Sequence, residues 1–214
     1  MTIRLDKLMP LPLLEQNTLG SDIWEGGPVL FRQPGKYIIQ APSGKGKTTL
    51  LSVIYGIRSD YQGGVFLDDT DIRSFSPWQW SQLRRKKLSF IFQGLELFDE
   101  LTALENIQLK NAMTGYKTRQ DITQMAEQMG IADFLHRKTG ILSFGQQQRV
   151  AIIRALCQPF SFLLADECFS HMDRENSLIA YRLISRECDL QNAGLLLTAL
   201  HEPELMEADE YLKL

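Results

Sequence analysis

Short, uninterrupted apolar runs recur along the chain, with amphipathic stretches between them. Tyr37–Gln40 (YIIQ), Leu88–Phe92 (LSFIF), Phe162–Ala165 (FLLA) and Leu195–Thr198 (LLLT) place apolar side chains at successive positions. A strand with one face in water must alternate apolar and polar residues, whereas a strand covered on both faces need not, so these runs predict the buried strands of a largely parallel sheet. The helical patterns that separate them fit an α/β order. The first third reads differently: TIRL, VLFR and VFLDD are short and broken by Gly and Pro turns, which predicts an antiparallel flank. Between Gln93 and Leu142 the strand-like runs vanish. Thr102 and Glu105 have capping-box spacing at the start of TALENIQLKNAM, and TRQDITQMAEQMG stops at Gly130, so a helical insert is expected here.

Composition narrows the picture further. A chain of 214 residues can bury the interior of one large domain, or of a core with a subdomain. Its formal net charge of -3 gives no bulk attraction to nucleic acid, and no nucleic-acid partner is expected. The basic run Arg84, Arg85, Lys86, Lys87 reads as a solvated face or a contact with an acidic partner. Cys157, Cys168 and Cys188 form no CxxC and have no histidine at zinc spacing, which argues against a disulfide framework and fits a reducing compartment. The N-terminus MTIRLDKLMPLPLLEQ lacks the features of a signal peptide, and no stretch reaches the length of a membrane span. Membrane contact is therefore expected only through another chain, with this one on the cytoplasmic side.

The first candidate chemistry lies at Ala41, Pro42, Ser43, Gly44, Lys45, Gly46, Lys47, Thr48 and Thr49, between the strand KYIIQ and the helical pattern LLSVIYGI. Glycines in such a turn let successive backbone N–H groups converge on phosphate oxygens. Lys47 supplies a point charge for the β and γ phosphates, and Thr48 a hydroxyl for Mg²⁺. Lys45 adds positive charge without a role assigned by the motif. Ala41 occupies a position where the phosphate-loop pattern has glycine, which is harmless if φ stays negative there and damaging otherwise. The bland alternative for the whole stretch is a Gly/Lys-rich surface turn.

FLLADE sets Asp166 and Glu167 at the end of a buried strand, where ligands of open α/β sheets collect. Asp166 suits the Mg²⁺ shell and Glu167 the polarisation of an attacking water, although an Asp-Glu pair also occurs as simple strand-end solubilisation. His201 follows GLLLTAL, and a neutral imidazole there can reach a γ-phosphate and the attacking water. Gln93 ends LSFIF. Its amide offers donors and acceptors to Mg²⁺ or water at a hinge, unless it is an ordinary loop glutamine. The stretch LSFGQQQR (142–149) is a second Ser- and Gly-marked helix start, either plain helix punctuation or a reader of phosphate from elsewhere.

In that order, the phosphate loop, Gln93, LSFGQ, FLLADE and His201 together resemble the nucleotide-binding subunit of ATP-binding-cassette (ABC) transporters across nearly the whole chain. QLRRKKLSFIFQGLELFDELTALENI is most similar to the subgroup serving lipoprotein release, macrolide export and the cell-division complex. The resemblance implies a single domain over 1–214: a RecA-like P-loop NTPase core with its antiparallel flank (1–92 and 151–214), and an α-helical subdomain (93–150) carrying the signature. It implies ATP and Mg²⁺ as ligands, with Thr48, Gln93 and Asp166 at the metal and Glu167, His201 and Gln93 in catalysis. It also implies a head-to-tail dimer in which Ser143, Gly145 and Gln146 of one copy face the nucleotide of the other, the free N–H groups of a helix capped by Ser143 attracting phosphate. A membrane permease subunit is the implied partner, docking a short helix in the groove around Gln93 and the insert.

Some residues depart from that pattern. Phe144 replaces the first glycine of LSGGQ, CFSHMD (168–173) stands for PTSALD, and Leu11–Leu14 is aliphatic where an aromatic residue would stack on adenine, leaving Trp24 or an aliphatic contact to substitute. With the chain stopping at EYLKL, no appended regulatory domain is expected. Transport or release of a hydrophobic or lipidated cargo is the leading function. The alternative is a signalling ATPase that regulates an extracytoplasmic enzyme through its membrane partner. A DNA-repair ATPase is weakest, since its long heptad coiled coil is missing.

Overall fold

The computed structural model describes residues 1–15, 18–25, 27–200 and 206–214. Its N-terminal third holds β1 (Thr2–Pro10), β2 (Val29–Arg32), β3 (Lys36–Gln40), α1 (Lys47–Ile54), β4 (Tyr61–Leu67) and β5 (Thr70–Asp71). The remainder adds α2 (Pro77–Lys86), β6 (Leu88–Ile91), α3 (Ala103–Asn111), α4 (Arg119–Gln128), α5 (Phe144–Leu156), β7 (Phe162–Asp166), α6 (Arg174–Gln191), β8 (Gly194–Ala199) and β9 (Glu210–Lys213). Among the described residues two sheets form. The expected flank pairs antiparallel in the order β2-β1-β4-β5, and the sheet β6-β7-β8-β3-β9 is parallel throughout.

The apolar runs are unbroken because the parallel sheet is covered twice. Phe162 and Leu164 of β7, Leu196 of β8 and Ile39 of β3 face a core shared with β1 and α1. Their neighbours Leu163, Ala165, Leu195, Leu197 and Ile38 face a second core built with α3 to α6. Successive side chains of a strand point to opposite faces, so both layers need apolar residues at every position. Truncating the fully buried Leu164 to Ala costs about 2–5 kcal/mol on that account.

The helical insert follows its caps. Thr102 accepts from the Glu105 N–H and Thr118 from the Asp121 N–H, each as a complete capping box. Gly130 ends this segment at φ 63°, a left-handed turn suited to glycine. α5 runs unbroken through residue 150, starting in the insert and ending beneath the sheet, where Ser89 donates to the Ala155 carbonyl at 2.7 Å. Near its end the Arg154 guanidinium donates to the carbonyls of Leu95 and Glu96, both in left-handed backbone (φ 61° and 51°).

Two elements were not expected. The basic run belongs to the end of α2: Arg84 donates to the Tyr55 and Gly56 carbonyls, and Arg85 to that of Met113. The run is thus partly a set of internal clamps at a helix C-terminus, where the dipole favours cations, rather than only a solvated face. β9 extends the parallel sheet beside β3. The three cysteines are buried and free, and burial pushes the Cys157 and Cys188 thiols up to about 12.

Candidate active site

Every parallel strand ends on the same edge of its sheet, so the residues that follow β3, β6, β7 and β8 collect there. After β3 the chain turns through Ala41–Gly46 into α1. Gly46 is the N-cap at φ 96°, a left-handed backbone that favours glycine, and a Cβ placed on it would push the tip of the Leu13 side chain aside. Ala41 is buried and is not among the residues with positive φ, which resolves the question its side chain raised. The turn borders a cleft of about 340 Å³ lined by Pro12 and Leu13 on one side and Ser43, Gly44, Gly46, Lys47, Thr48 and Thr49 on the other, with Gln93 and Glu167 also in its wall. A larger groove of about 890 Å³ between Lys36 and α6 holds none of these residues.

Lys47 is 3% exposed. Its Nζ donates to the Ala41 carbonyl at 2.6 Å and the Pro42 carbonyl at 2.9 Å, and stands 3.1 Å from Glu167 Oε1. A buried ammonium needs such partners, since removing one side of a buried pair costs about 3–5 kcal/mol. Gln93 bridges outward: its Oε1 accepts from Thr48 Oγ1 and its Nε2 donates to Glu167 Oε2, both at a long 3.4 Å. Glu167 itself has φ 44°, a left-handed conformation uncommon outside glycine and of the kind stored at functional sites.

Thr198 of β8 was missed by the sequence reading. Its hydroxyl donates to Asp166 Oδ1 at 2.8 Å and accepts from the Glu167 N–H at 3.1 Å, so one side chain holds the Asp166 carboxylate and the backbone of Glu167. The signal was present as the one polar residue in LLLTA, inside a buried strand where a hydroxyl needs a partner. Asp166 Oδ2 is buried with no hydrogen-bond partner. Burial pushes the Asp166 carboxyl above its ordinary range, against the Thr48 and Thr198 hydroxyls, with Glu167 adding to the rise. An orphaned carboxylate oxygen near a threonine hydroxyl and an amide carbonyl is an all-oxygen donor set of the kind Mg²⁺ takes, so the residues fit that ion.

Ser143, Gly145 and Gln146 lie at the start of α5, and none of them lines the cleft. Ser143 Oγ accepts from the Gln146 N–H at 3.3 Å, and Gln146 Oε1 accepts from the Ser143 N–H at 2.9 Å. His201 lies outside the described residues. Trp24 is 4% exposed and donates its indole N–H to the Lys45 carbonyl at 3.3 Å, so it supports the turn and has no free face for a base. Leu11 and Leu14 nearby are exposed.

Residues 31–170 match the ABC transporter family. An ABC transporter ATP-binding protein of Thermotoga maritima is 37% identical over 143 residues, covering 65% of this chain and 61% of that protein, so the match spans under two-thirds of the relative. The lipoprotein-releasing system ATP-binding protein LolD of Protochlamydia amoebophila is 31% identical, covering 76% of this chain and 72% of LolD. The bacterial ABC transporter cassette MJ0796, solved as a dimer, superposes with a TM-score of 0.82 at 24% identity, covering 99% of this chain and 94% of the cassette. A post-hydrolysis dimer of the same cassette with ADP and Pi gives 0.80 at 25% identity, over 98% of this chain and 94% of that one. By the family match and the LolD relationship, this chain belongs to the ABC transporter family, as one of its ATP-binding proteins.

Proposed function

We propose that the chain binds and hydrolyses ATP as the motor subunit of a transporter, acting as a head-to-tail pair of copies at the cytoplasmic face of a membrane. The observation that carries this reading is the convergence of Lys47, Gln93 and Glu167 on one cleft, with Thr198 bonding both Asp166 and the Glu167 N–H beside it. The phosphate loop, Ala41 to Thr49, cradles the triphosphate with backbone N–H groups, and Lys47 neutralises the β and γ phosphates. Thr48, Gln93 and Asp166 would hold Mg²⁺, which when bound neutralises charge on the phosphates. A γ-phosphate at Lys47 competes with Glu167 for the ammonium. Released from that pair, Glu167 takes a proton from the attacking water, while Gln93 orients the same water and joins the cleft to the helical insert. His201 is assigned to the γ-phosphate by its place beyond β8.

Ser143, Gly145 and Gln146 serve the second copy's nucleotide. Ser143 is exposed, and the first N–H groups of a helix attract phosphate. We divide the chain into a core (1–92 and 151–214) and a helical subdomain (93–150), with α5 crossing between them. The membrane subunit docks beside the insert, where Ile57, Phe98, Leu109 and Met113 are exposed. Lys110 lies near this rim, its amine held below the ordinary lysine range by burial and by Arg154 and Arg84, a setting that favours an acidic residue on the docking segment. The LolD relative supports a lipidated or hydrophobic substrate.

The test is Glu167→Gln. The variant should bind ATP, stop turning over and elute as a dimer only with ATP; a monomer at high protein and ATP concentrations would refute the shared site.

A further inference from the structure

Phe144 begins α5 directly after the Ser143 cap and is 44% exposed, yet its ring is not unpartnered. The His171 imidazole meets it edge to face, with centroids 4.4 Å apart and planes at 71°. His171 lies in the two successive turns that follow β7, in which the Ser170 N–H donates to the Glu167 carbonyl at 3.1 Å and the Met172 N–H to the Phe169 carbonyl at 3.0 Å. The backbones also approach at this point: a Cβ on Gly145 would stand 3.3 Å from the His171 carbonyl oxygen. The loop leaving the candidate base and the turn that flanks Ser143 are therefore joined by a ring pair and a close backbone approach. Both rings occupy positions where this chain departs from LSGGQ and PTSALD, and each departure supplies the other's partner.

We propose that Phe144 and His171 are positioning residues that tie the Ser143 turn to the loop after Glu167, so that each copy's own cleft and the face it lends to the other copy's nucleotide move together. An aromatic edge-to-face pair is directional, so it resists the swing that an isolated exposed ring would permit. Changes around Glu167 in one cleft are then felt at the second cleft through Ser143. The inference rests on the shared-site reading above.

The test is a double-mutant cycle on ATP-driven dimerisation in the Glu167→Gln background, with Phe144→Leu, His171→Ala, the pair combined, and Phe144→Tyr as the conservative variant. Each single loss should weaken the dimer by about tenfold, and the combination by about the same tenfold rather than a hundredfold. Phe144→Tyr should restore dimerisation. ATP affinity measured at high dilution, where each chain binds through its own phosphate loop, should stay unchanged, which a general folding defect would not allow. Losses that multiply, an unaffected single variant or a failed rescue by tyrosine overturn the proposal while leaving the shared site intact. A Glu167→Gln chain that never dimerises with ATP overturns both.

Discussion

In the proposed reading the phosphate-loop cleft and the Ser143 turn both meet phosphate, and they differ in how much of the work each does alone. In the cleft, charge is buried and cross-linked: Lys47 touches two carbonyls and Glu167, and Thr198 holds the Asp166 carboxylate and the Glu167 backbone N–H. At the Ser143 turn the serine and Gln146 bond each other as an ordinary helix cap, Gln147 steadies the preceding turn through the Thr139 and Leu142 carbonyls, and the serine is exposed. A buried ion pair needs its partners within one chain, whereas a capped helix end is stable alone and leaves its attraction for anions unspent. On the proposed shared-site reading, the contrast explains why one site is recognisable within the fold while the other would acquire its role only beside a second molecule.

The sharpest way to break this comparison is at the chemical step. Glu167→Gln should lower turnover by about 10²–10⁴ while ATP binding survives, measured by phosphate release and nucleotide titration. Lys47→Ala should next reduce ATP affinity by roughly a hundredfold, as truncating one member of a buried charge pair costs about 2–5 kcal/mol in binding. Retained affinity would show that the cleft does not depend on its buried charge.

Asp166 sharpens the comparison because its two roles oppose each other. Burial raises its carboxyl in the folded chain, while the unfolded chain titrates at the ordinary value. Between those two values the native state holds more protons, so this group's contribution to stability declines as pH rises. Asp166→Asn should raise the melting temperature by about 2–4 °C at neutral pH, about 1 kcal/mol for a chain of this size, and abolish Mg²⁺-dependent nucleotide binding. In the wild type, Mg²⁺-dependent affinity should weaken on acidification at a higher pH than an ordinary carboxylate would give. Thermal melts and titrations across pH check both. Ser143→Ala should have the smallest effect on a single chain, about 1 kcal/mol of helix capping, with ATP affinity of the dilute chain intact and only ATP-driven dimerisation lost.

Much of this was legible from residue order. The parallel strands announced themselves because both faces are buried, Thr102–Glu105 marked one helix of the insert by capping chemistry, and Gly130 marked the stop of the next. α2 escaped because none of its residues is fully buried: only Trp80 and Leu83 of PWQWSQLRRK pack against the core, too short an apolar face to read, although Ser76 and Gln79 form a capping box with Pro77 at its start. Thr198 was hidden inside an apolar run, and the left-handed backbone of Glu167 leaves no trace in composition. Position along the chain cannot show that Thr198 bonds Asp166, since that contact exists only once β7 and β8 pair in register, Asp166 opposite Thr198.

Arg154 gives α5 a second duty. The helix that offers Ser143 at its tip grips, eleven residues later, the carbonyls of the corner just past Gln93. At about 1.5 Å of rise per residue the two points lie roughly 16 Å apart on one rod. A tug on the tip by a neighbouring molecule would therefore arrive, with little slack, at the corner beside Gln93.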